Sequence, residues 1–218
     1  MSSTRDDQAL TSLLDLVPVV PVVVVDRLDQ AVPVAQALAA GGLPVVELTL
    51  RTPVALDAIR AIADEVPEVA IGAGTITQPA DAEAALAAGA QFLVSPGATA
   101  TLVGAMRDTG LPFLPGTATV SEVMQALELG CTELKLFPAE VVGGVGLLKA
   151  IGSVLPAARF CPTGGITAAT AATYRALPNV GCVGGSWLTP TDALAAGDWD
   201  RVTALAAEAS GRVVEAAR

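Results

Sequence analysis

The stretch LDQAVPVAQALAAGGLPVVELTLRTP, residues 28–53, holds one complete helix-to-strand unit. Its first half spaces Ala, Val and Leu as a helix does and stops at a glycine pair, which predicts a helix with a glycine end. Its second half, PVVELTLRTP, is an apolar run closed by polar residues and Pro53, which predicts a strand. Upstream, Val19–Val25 is a valine-rich run of the kind found in strands buried on both faces. Helical spacing over Ala9–Leu16 predicts a further helix before it.

The same alternation continues to the end of the chain. Strands are expected near 68–73, 91–95, 112–115, 132–136, 158–162 and 180–184, with Ala-rich helices between them and an amphipathic helix over DRVTALAAEASGRVVEAA at the close. With the two strands above, that makes eight. Alternation at this spacing implies parallel strands with right-handed crossovers. Eight such units in 218 residues predict an α/β fold of the (β/α)8 TIM barrel type with an extra N-terminal helix, as a single domain over 1–218. A doubly wound open sheet is the competing architecture, and the absence of GxGxxG after the first strand counts against it.

Composition removes many functions. The net charge of −10 argues against nucleic acid as a partner, because phosphate backbones are bound through clustered Lys and Arg. With no histidine, the chain has no His base, Ser–His pair or His-ligated metal. Cys131, Cys161 and Cys182 are odd in number and lack CxxC spacing, so neither a disulfide framework nor a zinc site is expected, and a reducing cytoplasm fits best. VPVVPVVVV, residues 17–25, is short, broken by Pro18 and Pro21, and follows an acidic segment, so neither a membrane span nor a signal peptide is expected.

In a barrel of this kind the active site lies where strands finish. The expected strand ends read TLRTP, GAGT, VSPG, LPGT, KLFPAE, CPTGG and VGGS, and they bring Arg51, Lys135, Glu140 and a set of Ser, Thr and Gly residues to one end of the barrel. Any one of them could be an ordinary turn; seven in phase point to a site.

Two of these strands carry charge. Alternation puts Glu47, Thr49 and Arg51 on one face of the first, and Glu133, Lys135 and Phe137 on one face of the second, opposite leucines that should meet the helices. A charge facing a barrel interior is costly unless it is paired or used. The chain has only two lysines, Lys135 and the helical Lys149, so solubility does not explain Lys135. A desolvated amine is a nucleophile that condenses with a carbonyl to a Schiff base. Imine chemistry needs a proton carrier, and Glu47 is the leading carboxylate, with Glu140 a weaker alternative and Glu133 structural. A buried Glu47–Lys135 ion pair that only holds the barrel together is the competing reading. CPTGGIT and VGGSW supply Gly164, Gly165, Gly184, Gly185 and Ser186 after the last two strands, where phosphate commonly binds in such barrels. Arg51 could clamp a carboxylate.

The ordered set GGLPVVELTLRTP, GAGT, QFLVSPG, LPGTATVSEVMQALELG, ELKLFPAE, RFCPTGGI and VGGSWL resembles the KHG/KDPG aldolase family, from about Pro18 to the C-terminal helix. The resemblance implies a metal-independent class I aldolase with no cofactor. It would split 2-keto-3-deoxy-6-phosphogluconate into pyruvate and glyceraldehyde 3-phosphate in the Entner–Doudoroff pathway, and 4-hydroxy-2-oxoglutarate into pyruvate and glyoxylate. It also implies a homotrimer. By position, Lys135 matches the Schiff-base lysine and Glu47 the acid/base. Arg51, Thr75 and Thr163 match residues around the pyruvate carboxylate and hydroxyls, Pro96 and Phe137 the pocket walls, and Gly164, Gly165, Gly184 and Ser186 the phosphate end. Thr117 and Ala118 depart from the family pattern of a bulkier aliphatic and a small hydroxyl residue. An aldolase for the phosphogalactonate epimer, a phosphate-binding isomerase or epimerase, and a catalytically silent anion-binding scaffold remain alternatives.

Overall fold

The computed structural model describes residues 12–211. The chain alternates strand and helix: β1 (Val19–Val23), α1 (Ala31–Ala40), β2 (Val45–Thr49), α2 (Ala55–Glu65), β3 (Ala70–Gly74), α3 (Pro79–Ala87), β4 (Phe92–Val94) and α4 (Ala100–Asp108). There follow β5 (Phe113–Leu114), β6 (Gly116–Thr117), α5 (Val120–Glu128), β7 (Glu133–Leu136), α6 (Gly144–Val154), β8 (Arg159–Pro162), α7 (Ala168–Arg175), β9 (Val183–Gly185), α8 (Thr191–Ala196) and α9 (Trp199–Ser210). Of the helix expected over 9–16, residues 9–11 lie outside the described residues, and 12–16 are not helical, with turns and bends over 13–16. The last helix ends at Gly211, which adopts φ 75°; the expected extension past it lies outside the described residues.

Every strand pair is parallel. One six-stranded sheet runs β5-β4-β3-β2-β1-β9 and a three-stranded sheet runs β6-β7-β8. The expected strand at 112–115 is divided in two at Pro115. Proline has no N–H for the ladder, but its carbonyl still accepts from the Lys135 amide at 2.9 Å. Single bridges, Phe160 to Val180 and Thr163 to Gly184, join β8 to the segment that contains β9. The sheet is therefore curled, with helices on its outer side.

Local sequence explains the element ends. Helix α1 stops at Gly41 and Gly42, where the positive φ of Gly42 (92°) lets the Leu43 amide reach the Leu38 carbonyl. Thr119 and Glu122 form a reciprocal capping box that starts α5. Leu134 and Leu136 are fully buried, as the alternation on β7 requires, each contributing about 1.5–3 kcal/mol of apolar burial. At the opposite end of the strands, Ser12 donates to Glu133, and Arg159 bridges Glu133 and Asp15. Glu133 thus ties the start of β7 and β8 to the N-terminal segment. The hydrogen bond and charge of Arg159 hold the Asp15 carboxyl below the usual range.

No helix among the described residues is long and apolar enough to cross a membrane. The three cysteines are buried and free.

Candidate active site

Several polar side chains on the strands and just past their ends are buried. Glu47 and Thr49 of β2, Ser95 after β4, Thr117 of β6, Lys135 of β7 and Thr163 after β8 are all buried. Lys135 Nζ lies 3.0 Å from Glu47 Oε1, and the two side chains are only 6% and 3% exposed. Strands β2 and β7 are not hydrogen-bonded neighbours, so this contact crosses the interior that the curl encloses. The Lys135 ammonium position also stands 5.4 Å from the centre of the Phe137 ring.

Three glycines make this arrangement possible. A Cβ on Gly74 would lie 2.3 Å from Glu47 Oε1, so the end of β3 is kept bare to leave room for the carboxylate. A Cβ on Gly116 would lie 2.3 Å from the Pro96 carbonyl carbon and oxygen, so the strand beside Lys135 can pass against the Pro96 loop. A Cβ on Gly184 would lie 2.2 Å from Thr163 Oγ1. Gly74 and Gly184 sit where a strand meets a polar side chain and Gly116 where a strand meets the Pro96 backbone, close approaches that only glycine permits.

The other residues singled out from the sequence lie at the same strand ends. Arg51 follows β2 in a turn and is exposed; the strand stops at Thr49, so Arg51 does not share the buried face that simple alternation assigned it. Among the described residues its side chain has no ion-pair partner. Thr75, directly after β3, is half-buried and adopts φ 63°, the left-handed region that a β-branched residue seldom enters. Pro96 and Phe137 are half-buried after β4 and β7. Thr163 and Gly184 are bridged to each other, Gly164 and Gly165 have φ 101° and 81°, and Ser186 is exposed at the end of β9. Ser186 lines a cavity with Val22, Val24, Gln30 and Thr189. Lys149 is an exposed helical residue.

Sequence reasoning passed over Gly74, Gly116 and Ser95, although GAGT and LPGT had been marked as strand ends. Ser95 Oγ accepts from the Gly116 amide at 3.3 Å. Thr117, noted from the sequence only as a departure, donates its hydroxyl to the Lys135 carbonyl at 3.2 Å and so braces the lysine's strand. Trp187 packs its ring over Gly185. Tyr174, buried in α7, donates to Glu140 Oε1 at 2.6 Å.

Chemically, a buried amine held against a carboxylate, with bare backbone and hydroxyls at the neighbouring strand ends, can form and resolve a carbonyl adduct. The family model for KDPG and KHG aldolase matches residues 10–205. The KHG/KDPG aldolase of Escherichia coli K12 is 54% identical over 198 residues, covering 91% of this chain and 93% of that one. A KDPG aldolase structure from Legionella pneumophila, with pyruvate captured as a covalent carbinolamine, superposes with a TM-score of 0.89 at 45% identity, covering 90% of this chain and 96% of that one. That of Zymomonas mobilis ZM4 with 3-phosphoglycerate gives 0.86 at 45% identity, with 94% and 96% covered. Matched by that model over most of its length and more than half identical to a curated relative, the chain belongs to the KDPG and KHG aldolase family.

Proposed function

We propose that the protein is a class I aldolase that cleaves 2-keto-3-deoxy-6-phosphogluconate to pyruvate and glyceraldehyde 3-phosphate, and 4-hydroxy-2-oxoglutarate to pyruvate and glyoxylate. The observation that carries the reading is the buried Lys135 Nζ, 3.0 Å from Glu47 Oε1. Lys135 passes a proton to Glu47 and its neutral amine attacks the C2 ketone; Glu47 returns the proton as the carbinolamine hydroxyl leaves as water, which gives the protonated imine. Glu47 takes the C4 hydroxyl proton as the C3–C4 bond breaks. The bonding pair flows into the imine to give the enamine of pyruvate, and the aldehyde departs. Protonation of the enamine at C3 and hydrolysis of the imine then release pyruvate and the free lysine.

The remaining strand-end residues surround this pair in the proposal. Arg51, Thr75 and Thr163 hold the carboxylate and hydroxyls, and Pro96 and Phe137 form the walls. Gly164, Gly165, Gly184 and Ser186 take the phosphate through exposed amides and a hydroxyl. Support for the anion end comes from the positive φ of Gly164 and Gly165 and from the match to the 3-phosphoglycerate complex. Reduction with borohydride in the presence of pyruvate, followed by peptide mass spectrometry, is expected to add a pyruvate-derived mass at Lys135. Label at Lys149, or none, removes the assignment.

We further propose a single cytoplasmic domain whose strands close as a (β/α)8 barrel and whose chains associate as a trimer. Closure is supported by the bridges from β8 to the segment around β9 and by the continuity of β5 with β6 through Pro115. Light scattering should give the mass of three chains, and a crystal structure should show eight strands in a ring. A monomer, or an open sheet edge, contradicts the corresponding part.

A further inference from the structure

We propose that Tyr174 and Glu140 are positioning residues that prop the Gly164–Gly165 loop in its anion-receiving shape, an inference that rests on the phosphate end assigned above. Neither was placed among the substrate-binding residues. Glu140 lies four residues past the end of β7, and its amide donates to the Gly164 carbonyl at 3.1 Å, beside an Ala139 amide to Thr163 carbonyl bond of 2.8 Å. These two bonds dock the turn after β7 on the loop after β8. The Glu140 side chain then continues beneath the loop, because a Cβ on Gly165 would lie 2.6 Å from Glu140 Cγ and 2.7 Å from its Cβ.

A flexible glutamate makes a poor prop unless its far end is held. Tyr174, buried in α7, holds it through the 2.6 Å bond from the phenol to Oε1. Burial, and then the carboxylate itself, push the phenol pKa far up, so the hydroxyl stays a donor throughout the working range. Gly144 leaves space for the phenol, since a Cβ there would lie 2.6 Å from its oxygen. The chain thus spends a glycine on each side of this contact, one under the loop and one against the phenol.

Losing the phenol hydroxyl would have two effects in the same direction. The support under Gly165 loosens, and a carboxylate no longer restrained by Tyr174 can turn its charge toward a bound phosphate. Both should weaken binding of the phosphorylated substrate while leaving Lys135 and Glu47 undisturbed.

The test is Tyr174→Phe, assayed on phosphorylated 2-keto-3-deoxygluconate and on 4-hydroxy-2-oxoglutarate, with inorganic phosphate as a competitive inhibitor. The expected result is a KM for the phosphorylated substrate and an inhibition constant for phosphate both raised about three- to tenfold, with kcat and hydroxyoxoglutarate turnover within twofold of wild type. Glu140→Gln keeps the stem and an acceptor oxygen and should recover most of the affinity, whereas Glu140→Ala should behave like Tyr174→Phe. Equal losses on both substrates would mean a merely structural role and overturn the proposal. Ser186→Ala in parallel separates the two levels. An impaired Ser186→Ala beside an unchanged Tyr174→Phe overturns the prop alone. An unimpaired Ser186→Ala overturns the phosphate end and the prop with it.

Discussion

Lys135→Arg is expected to lower kcat/KM for aldol cleavage by about 10^4-fold or more, and to abolish borohydride trapping of pyruvate. Arginine keeps a positive partner for Glu47 but cannot lose its proton to become a nucleophile. The variant therefore separates chemistry from charge pairing. Full activity in Lys135→Arg would exclude an imine and return the pair to a structural role. Since arginine is the larger side chain in a site only 6% exposed, its folding should be checked by circular dichroism. Lys135→Met provides the complementary control. It leaves the Glu47 carboxylate buried without its cation, which should cost about 3–5 kcal/mol in urea unfolding.

Glu47→Gln is expected to reduce kcat by about 10^2- to 10^4-fold with little change in KM, the signature of a lost proton carrier rather than lost binding. The amide retains the shape of the carboxylate and an oxygen that can accept from Lys135, so packing against Gly74 should be largely preserved. Single-turnover measurements of carbinolamine dehydration and of cleavage would locate the slowed step. A kcat within twofold of wild type would pass the acid/base role to another group, and would make the 3.0 Å contact an ion pair only. Glu140 is a poor substitute on geometry, because its carboxylate is engaged by Tyr174.

Much of this is legible in the sequence alone. The helix-to-strand unit at 28–53, repeated along the chain, is enough for a parallel α/β architecture, because period and punctuation are local properties. Lys135 and Glu47 stood out for the same kind of reason: each is a charge in an apolar strand, and burial of such a charge demands a partner or a use. The strand ends were less exact. Alternation carried Arg51 onto the buried face of β2, yet the strand ends at Thr49 and the chain turns, so parity stops with the ladder that enforces it. Pro115 split one expected strand into two for a covalent reason visible in the sequence, the missing N–H.

Sequence alone determined the alternation of elements, the two charged strands and the glycine-rich strand ends, since each depends on residue type and near-neighbour spacing. Only the tertiary structure decided that Glu47 meets Lys135, 88 residues away at 3.0 Å, that Gly74 is bare to admit that carboxylate, and that Tyr174 reaches Glu140 under Gly165. The first is a contact across the curl of the sheet and the other two are close approaches between neighbouring units, set by how far the sheet bends and how closely backbones approach, and local pattern carries no record of either.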